Sequence, residues 1–247
     1  MLDRFVYTAM TGAKHAMGQL GNTTHNLANA QTPGFREMLS TFRAVPVQGA
    51  SADSRAFVVD STPGSNFAPG PLTSTGNPLD VAIKEKGFFA VIRGDGKEVY
   101  TRSGHLTLDD EGFLRGASGT RMVGVEGDIW VEPGATDLQI GPTGLVQAVL
   151  PGDSQSSVIG QLKLVNPPPH TLTRDGDGFF VNDGTALPQS DDVVIQSNVI
   201  EMSNVNVASA MVEMIQQNRL FDLNIRMVQV AEQNAKSASN LMSLSRG

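Results

Sequence analysis

An α+β fold follows from three features of the chain: the placement of its helix breakers, a seven-residue apolar recurrence at both ends, and a series of short β-branched runs between them. All 13 prolines lie between Pro33 and Pro188, and of the 26 glycines only Gly12, Gly18, Gly21 and Gly247 fall outside the stretch from Gly34 to Gly184. The ends are therefore free to form helices, while the middle is cut into turns.

The N-terminal end carries Val6, Ala13, Leu20 and Leu27 at intervals of seven, with Ala9 and Ala16 three residues further on. That spacing is the seam of a coiled coil or helical bundle. Its three glycines each cost about 1 kcal/mol of helix propensity relative to alanine, so this helix depends on partners. Pro33-Gly34 is expected to stop it, because proline removes a donor and glycine accepts a reversed backbone.

Residues 36–75 contain Ser, Ala and Pro with few strand signals, which predicts an extended connecting arm. Strands are predicted at Val81-Ala82-Ile83, Phe88 to Ile92, Glu98 to Thr101, Met122-Val123, Ile129-Trp130-Val131, Leu145 to Leu150, Val158 to Val165, Phe179 to Val181 and Val193 to Gln196. Gly94-Asp95-Gly96-Lys97, Asp110-Glu111-Gly112 and Asn182-Asp183-Gly184 supply turns between them. Many short strands at this spacing predict an antiparallel sheet, sandwich or distorted barrel.

The C-terminal end has no Gly or Pro from Ala208 to Leu244, and Met214, Phe221, Val228, Ala235 and Met242 recur at intervals of seven. Ala231 and Ala238 take the second seam position, while Leu220, Met227 and Leu241 widen the stripe. Gln217 and Asn224 interrupt this repeat, so a plain two-stranded zipper is not predicted. The expected organisation is a discontinuous helical assembly domain (residues 1–35 and 205–247, with paired N- and C-terminal helices in a coiled-coil-like arrangement), an arm at 36–75 and a β-rich domain at 76–204. Two helices pressed only on each other bury little apolar surface for the backbone they order, so neighbouring subunits are expected to complete the packing.

Charge and composition exclude several function classes. Each end nets +1, leaving −9 for residues 35–204 of a chain whose formal charge is −7. No basic stripe exists to hold a nucleic acid or an anionic membrane. No apolar run is long enough to span a bilayer, so no membrane insertion is expected. Cysteine is absent, which removes disulfides, zinc thiolates and thiol nucleophiles. Met1-Leu2-Asp3-Arg4-Phe5 has none of the features that open a cleaved signal peptide, which by itself would predict a cytoplasmic protein.

No catalytic constellation emerges. His15, His25, His105 and His170 have no metal-like spacing, and Asp175-Gly176-Asp177-Gly178 lacks the closing Glu of a calcium loop, Ala186 standing in its place. Phosphate-binding and nucleophile-elbow motifs are missing, and Ser118 in Gly116-Ala117-Ser118-Gly119 does not supply one. Asn22-Thr23-Thr24 fits a glycosylation sequon but lies inside the helical seam, and Pro167-Pro168-Pro169 reads as a stiff loop. No catalytic, cofactor-binding or metal site is therefore expected. The residues alone leave two classes open: an oligomerising structural subunit, or a secreted binding protein or enzyme whose β-rich domain carries helical oligomerisation ends.

A resemblance decides between them. Asn26-Leu27-Ala28-Asn29-Ala30-Gln31-Thr32-Pro33-Gly34-Phe35-Arg36 resembles the signature of flagellar rod and hook proteins, carried at Asn26, Leu27, Ala28, Asn29, Thr32, Gly34 and Phe35. Gly76-Asn77-Pro78-Leu79-Asp80-Val81-Ala82-Ile83, Gly87-Phe88-Phe89, Tyr100-Thr101-Arg102-Ser103-Gly104, Asp110-Glu111-Gly112-Phe113-Leu114 and Ser203-Asn204-Val205-Asn206-Val207 follow in the family's order, so the resemblance covers nearly the whole chain. The opening Tyr7-Thr8-Ala9-Met10-Thr11-Gly12-Ala13 and the short length resemble a proximal-rod rather than a distal-rod member. The resemblance implies an inner helical domain and an outward β domain, in subunits stacked helically around an export channel as a drive shaft. It also implies partners: copies of itself, the other proximal-rod proteins, the distal-rod protein and the flagellar type III export apparatus, which would deliver the chain to a periplasmic rod without a cleaved signal. The assembly interface is then expected at Val6, Ala13, Leu20, Leu27, Met214, Phe221, Val228, Ala235 and Met242.

Overall fold

The computed structural model describes residues 2–46, 56–182 and 185–244, with side chains described for 6–40, 64–116, 118–182 and 185–237. The chain divides into two compact units, one formed by residues 1–28, 38–64 and 206–247 and the other by residues 29–37 and 65–205.

The first unit holds α1 (Leu2–Ala28), β1 (Met38–Pro46), β2 (Ala56–Ser65) and α2 (Val207–Leu244). α1 packs against α2 and against β1, and β1 pairs with β2 in a two-stranded sheet. β1 and β2 lie within residues 36–75 although few strand signals stand there, because a two-stranded ribbon needs little of the apolar alternation that marks a half-buried strand. One expectation is corrected here. α1 ends at Ala28, five residues before Pro33. It stops where Asn26 turns its amide onto the β1 backbone, donating from Nδ2 to Met38 O at 2.9 Å and accepting from Met38 N at 2.8 Å.

The second unit contains β3 (Leu72–Ser74), β4 (Val81–Ile83), β5 (Phe88–Ile92), β6 (Glu98–Thr101), β7 (Thr107–Leu108), β8 (Leu114–Arg115), β9 (Arg121–Gly124) and β10 (Gly127–Asp128). After them come β11 (Thr136–Ile140), β12 (Leu145–Val149), β13 (Ser156–Gln161), β14 (Leu164–Val165), β15 (Leu172–Arg174), β16 (Phe180–Asn182), β17 (Ile195–Ser197) and β18 (Val199–Glu201). The main sheet runs β15-β16-β6-β5-β9-β8-β7, with β14 on β5 and β10 on β9, and β11-β12-β13 form a second sheet. Each pairing is antiparallel. β17 pairs with β4 and β18 with β3, joining the last strands of the unit to its first.

β5 reads Phe-Phe-Ala-Val-Ile without polar interruption because both of its faces are covered. Phe89 and Val91 enter one apolar cluster with Val99 and Met122, while Phe88 and Ala90 enter another with Tyr100 and Val123. Alternate residues of three adjacent strands thus feed two cores, as the period of two requires. The second core carries an aromatic trio, with Phe88 and Phe180 centroids 5.3 Å apart and Phe67 at 6.2 and 5.4 Å from them.

Several local expectations shift. Ile129-Trp130-Val131 forms no strand, Trp130 making only an isolated bridge to Phe113. The run Val158 to Val165 breaks into β13 and β14, and β18 extends the pairing beyond the expected Val193 to Gln196 segment. Gly94-Asp95-Gly96-Lys97 joins β5 to β6 and Asp110-Glu111-Gly112 joins β7 to β8. Of the third turn, Asp183 and Gly184 lie outside the described residues.

Tyr100 gives the fold a pH signature. Burial pushes its phenol up from 10 to about 12, and the neighbouring Glu98 acts in the same direction, while the Leu187 N–H donated to its oxygen at 2.8 Å opposes them. An acid whose folded pKa is raised contributes stability that is complete below the unfolded pKa and is lost as pH rises through the folded one. Arg102, lowered to about 10 chiefly by burial, has the opposite sign between its folded value and its higher ordinary one. Comparison with Tyr100→Phe cancels the arginine contribution. Urea unfolding at stepwise pH is expected to show the native chain losing stability more steeply than Tyr100→Phe between pH 10 and about 12, and parallel curves would refute the assignment.

Candidate assembly site

The seam of the first unit is built from the heptad positions of both helices. On α2, Ala210 and Ala231 are buried and Met214, Gln217, Phe221, Asn224 and Val228 half-buried, while the other described residues of the helix are exposed. The intervals are four and three in strict alternation, the signature of a seam. On α1 the same alternation runs through Val6, Ala9, Ala13, Ala16, Leu20, Thr23 and Leu27, all buried or half-buried. Among the expected interface residues, Ala235 is exposed, and the side chain of Met242 lies outside those described.

Gln217 and Asn224 stand in the second seam position rather than outside the seam. Asn224 donates from Nδ2 to Leu220 O at 2.8 Å, while Gln217 Oε1 is buried without a donor. Gly12 makes room for this polar step, since a Cβ there would sit 2.7 Å from Asn224 Oδ1. The glycine that weakens α1 as an isolated helix thus leaves the space that the end of the Asn224 side chain fills.

Leu220 and Met227, expected to widen the seam, instead belong to a second stripe. Leu220, Leu223, Met227 and Val230 follow one another at intervals of three, four and three, and all remain substantially exposed. Met211, Val212 and Ile215 on α2 and Tyr7, Met10 and Met17 on α1 are exposed as well. Large apolar side chains at helical spacing on an uncovered face mark a surface for further association.

In the second unit the motif residues that follow α1 meet the segment that precedes α2. Thr32 N donates to Asn29 O at 3.1 Å, closing a turn that leads to Gly34. Gly34 has φ +70°, and a side chain there would overlap the Ser103 backbone nitrogen, so glycine is required twice over. Its N–H donates to Glu201 O at 2.8 Å. Phe35 is buried beneath the Arg174 guanidinium, 4.3 Å from its ring centroid, and Arg174 also donates to Arg36 O at 2.6 Å. Asn204 accepts from Glu37 N at 2.7 Å and donates to Asn66 O and Ala68 O at 2.9 and 2.8 Å.

Behind these bonds lies a buried charge triad. Glu201 receives Arg36 on one oxygen at 2.8 Å and Arg102 on the other at 2.8 Å, with all three side chains nearly inaccessible. Gly70 N adds a third donor at 2.9 Å. Arg102 also donates to Gly87 O, Ile83 O and Glu85 O. Burial lowers the pKa of both arginines, and the shared carboxylate partly restores it. Arg36 and Arg102 stand inside motifs visible in the sequence. Glu201 was not singled out, and its signal is a lone acidic residue closing the apolar run Val199-Ile200.

Among the described residues, no group of three or more His, Cys, Asp or Glu side chains is placed to hold a metal ion, and no helix is long and apolar enough to cross a membrane.

Comparison with known proteins places this architecture. Residues 82–148 match the flagellar hook protein FlgE/F/G D1 domain family, and residues 196–241 match the flagellar basal body rod FlgEFG protein C-terminal family. The flagellar basal-body rod protein FlgF of Escherichia coli K12 is 38% identical over 99% of this chain and 100% of its own length. FlgF of Caulobacter vibrioides is 30% identical over 96% of this chain and 97% of its own length. The flagellar basal-body rod protein FlgG of Buchnera aphidicola from Schizaphis graminum shares 27% over 96% of this chain and 98% of its own length.

The geometry carries two expectations. Gly12→Val sets a branched side chain against the Asn224 amide, and together with Asn224→Ala it is expected to show a coupling of about 0.5–3 kcal/mol in a double-mutant cycle. Strict additivity would show that the two positions do not meet. Glu201→Gln, which leaves two buried guanidinium groups facing each other, is expected to cost about 3–5 kcal/mol in urea unfolding.

Proposed function

The chain belongs to the FlgF family of flagellar basal-body rod proteins and is a structural subunit of the rod, and from that premise we propose how it assembles. The subunit joins copies of itself, other proximal-rod proteins and the distal-rod protein, stacking helically around the export channel to form a drive shaft in the periplasm. The type III export apparatus delivers it there. Residues 1–35 and 205–247 form the inner helical domain, with the seam of α1 and α2 acting as a coiled coil. Residues 36–75 serve as the connecting arm and residues 76–204 as the outward β domain.

One observation carries this reading. The seam uses one stripe of α2, yet Leu220, Leu223, Met227 and Val230 form a second stripe at helical spacing that stays exposed. A helix with two apolar seams is suited to pack in a bundle larger than the pair its own chain supplies. A distal-rod role has weaker support, since FlgF relatives reach 38% identity and the FlgG relative 27%.

The two stripes separate folding from assembly. Phe221→Asp puts a carboxylate into the seam and is expected to unsettle the helix pair itself. Leu223→Lys with Val230→Lys alters only exposed positions, so the purified chain is expected to keep its helix content and unfolding midpoint. Cells carrying that double variant as their only copy are expected to be non-motile, with truncated or absent rods in electron micrographs of basal bodies. Swimming cells with normal rods would show that the second stripe plays no part in assembly.

A further inference from the structure

The charge triad in the second unit is one negative charge short, and a cavity opens beside it. Arg36 and Arg102 are both buried and share the single carboxylate of Glu201. Arg36 Nε is buried without an acceptor. A cavity of about 50 Å³ is lined by both arginines together with Phe67, Glu85, Lys86 and Pro167. Lys86 and Glu85 are exposed at their side chains, so the named lining carries three positive groups and one negative.

Size and charge narrow the occupant. About 50 Å³ has room for a carboxylate head group. The net excess of one positive charge, once Glu201 and Glu85 are counted against Arg36, Arg102 and Lys86, matches a monoanion rather than a dianionic phosphate. Phe67, Phe88, Pro167 and Pro169 give the cavity apolar walls, where attraction between charges is screened less than in water. A planar carboxylate also suits guanidinium donors better than a spherical halide does.

We propose that this cavity is a binding site for one carboxylate group, which supplies the negative charge that the triad lacks. The carboxylate is carried either by a small free acid or by an acidic side chain of another chain. The assignment is independent of how the subunit enters the rod.

The test uses the full chain labelled with nitrogen-15, following the arginine Nε–H resonances by NMR at constant ionic strength. Sodium acetate and the blocked peptide acetyl-Gly-Glu-Gly-amide are titrated separately, with sodium chloride as the control. A saturable shift of the Arg36 and Arg102 signals with either probe, absent with chloride, supports the site. A response to acetate alone identifies a free small acid, and a response to the peptide alone identifies an acidic side chain from another chain. Lys86→Gln is expected to weaken the binding about threefold and Glu85→Gln to strengthen it about threefold, both at exposed positions that leave the triad intact. No saturable shift with either probe, or an equal shift with chloride, overturns the proposal.

Discussion

Glu201 is one carboxylate held between two buried guanidinium groups, and the second unit is organised around it. Its backbone carbonyl accepts from Gly34, its side chain binds Arg36, Arg102 and Gly70, and its strand pairs with β3. The segment that follows α1, the early β strands and the segment that precedes α2 therefore meet at one residue. Desolvating such a group is costly, and the cost is offset only when every partner is in place. The triad thus acts less as a source of net stability than as a condition on topology. An arrangement that separates residues 34–36 from residues 199–204 would strand at least one buried charge.

Around this constraint the two units follow different physics. The second is governed by alternation, β6, β5 and β9 of the main sheet sending successive residues into opposite cores, so their register is specified twice. The first is governed by a seam of small and mid-sized residues on α1 facing a mixed apolar and polar seam on α2. Asn224 opposite Gly12 gives that seam a polar step that fits against a residue without a Cβ. Beside that seam, α2 keeps further apolar side chains exposed.

Legibility in the sequence depended on the range over which each signal acts. The seven-residue spacing of Met214, Phe221 and Val228, or of Val6, Ala13 and Leu20, was readable because it repeats within a few turns. The unbroken run of β5 was readable as a strand, although only the structure shows that both of its faces are covered. Gln217 and Asn224 looked like interruptions because nothing local reveals that Gly12 lies opposite. The ribbon of β1 and β2 went unseen because its pairing does not rely on a half-buried alternating face. The motif from Asn26 to Arg36 was legible as a resemblance, but the bonds from Asn26 to Met38 depend on a strand that the sequence did not announce.

The sequence by itself determined the helical ends and the β-rich middle, since breaker placement and periodicity act locally. Gly34 and Arg36 could also be marked as special from their motif. Only the tertiary structure decided that α1 stops at Ala28, that Glu201 is the partner Arg36 and Arg102 share, and that Leu220 and Met227 belong to a separate exposed stripe. Those outcomes depend on which residues far apart in the chain come within hydrogen-bonding or van der Waals reach. Arg102 and Glu201 are 99 positions apart, and no local pattern in either segment specifies the other.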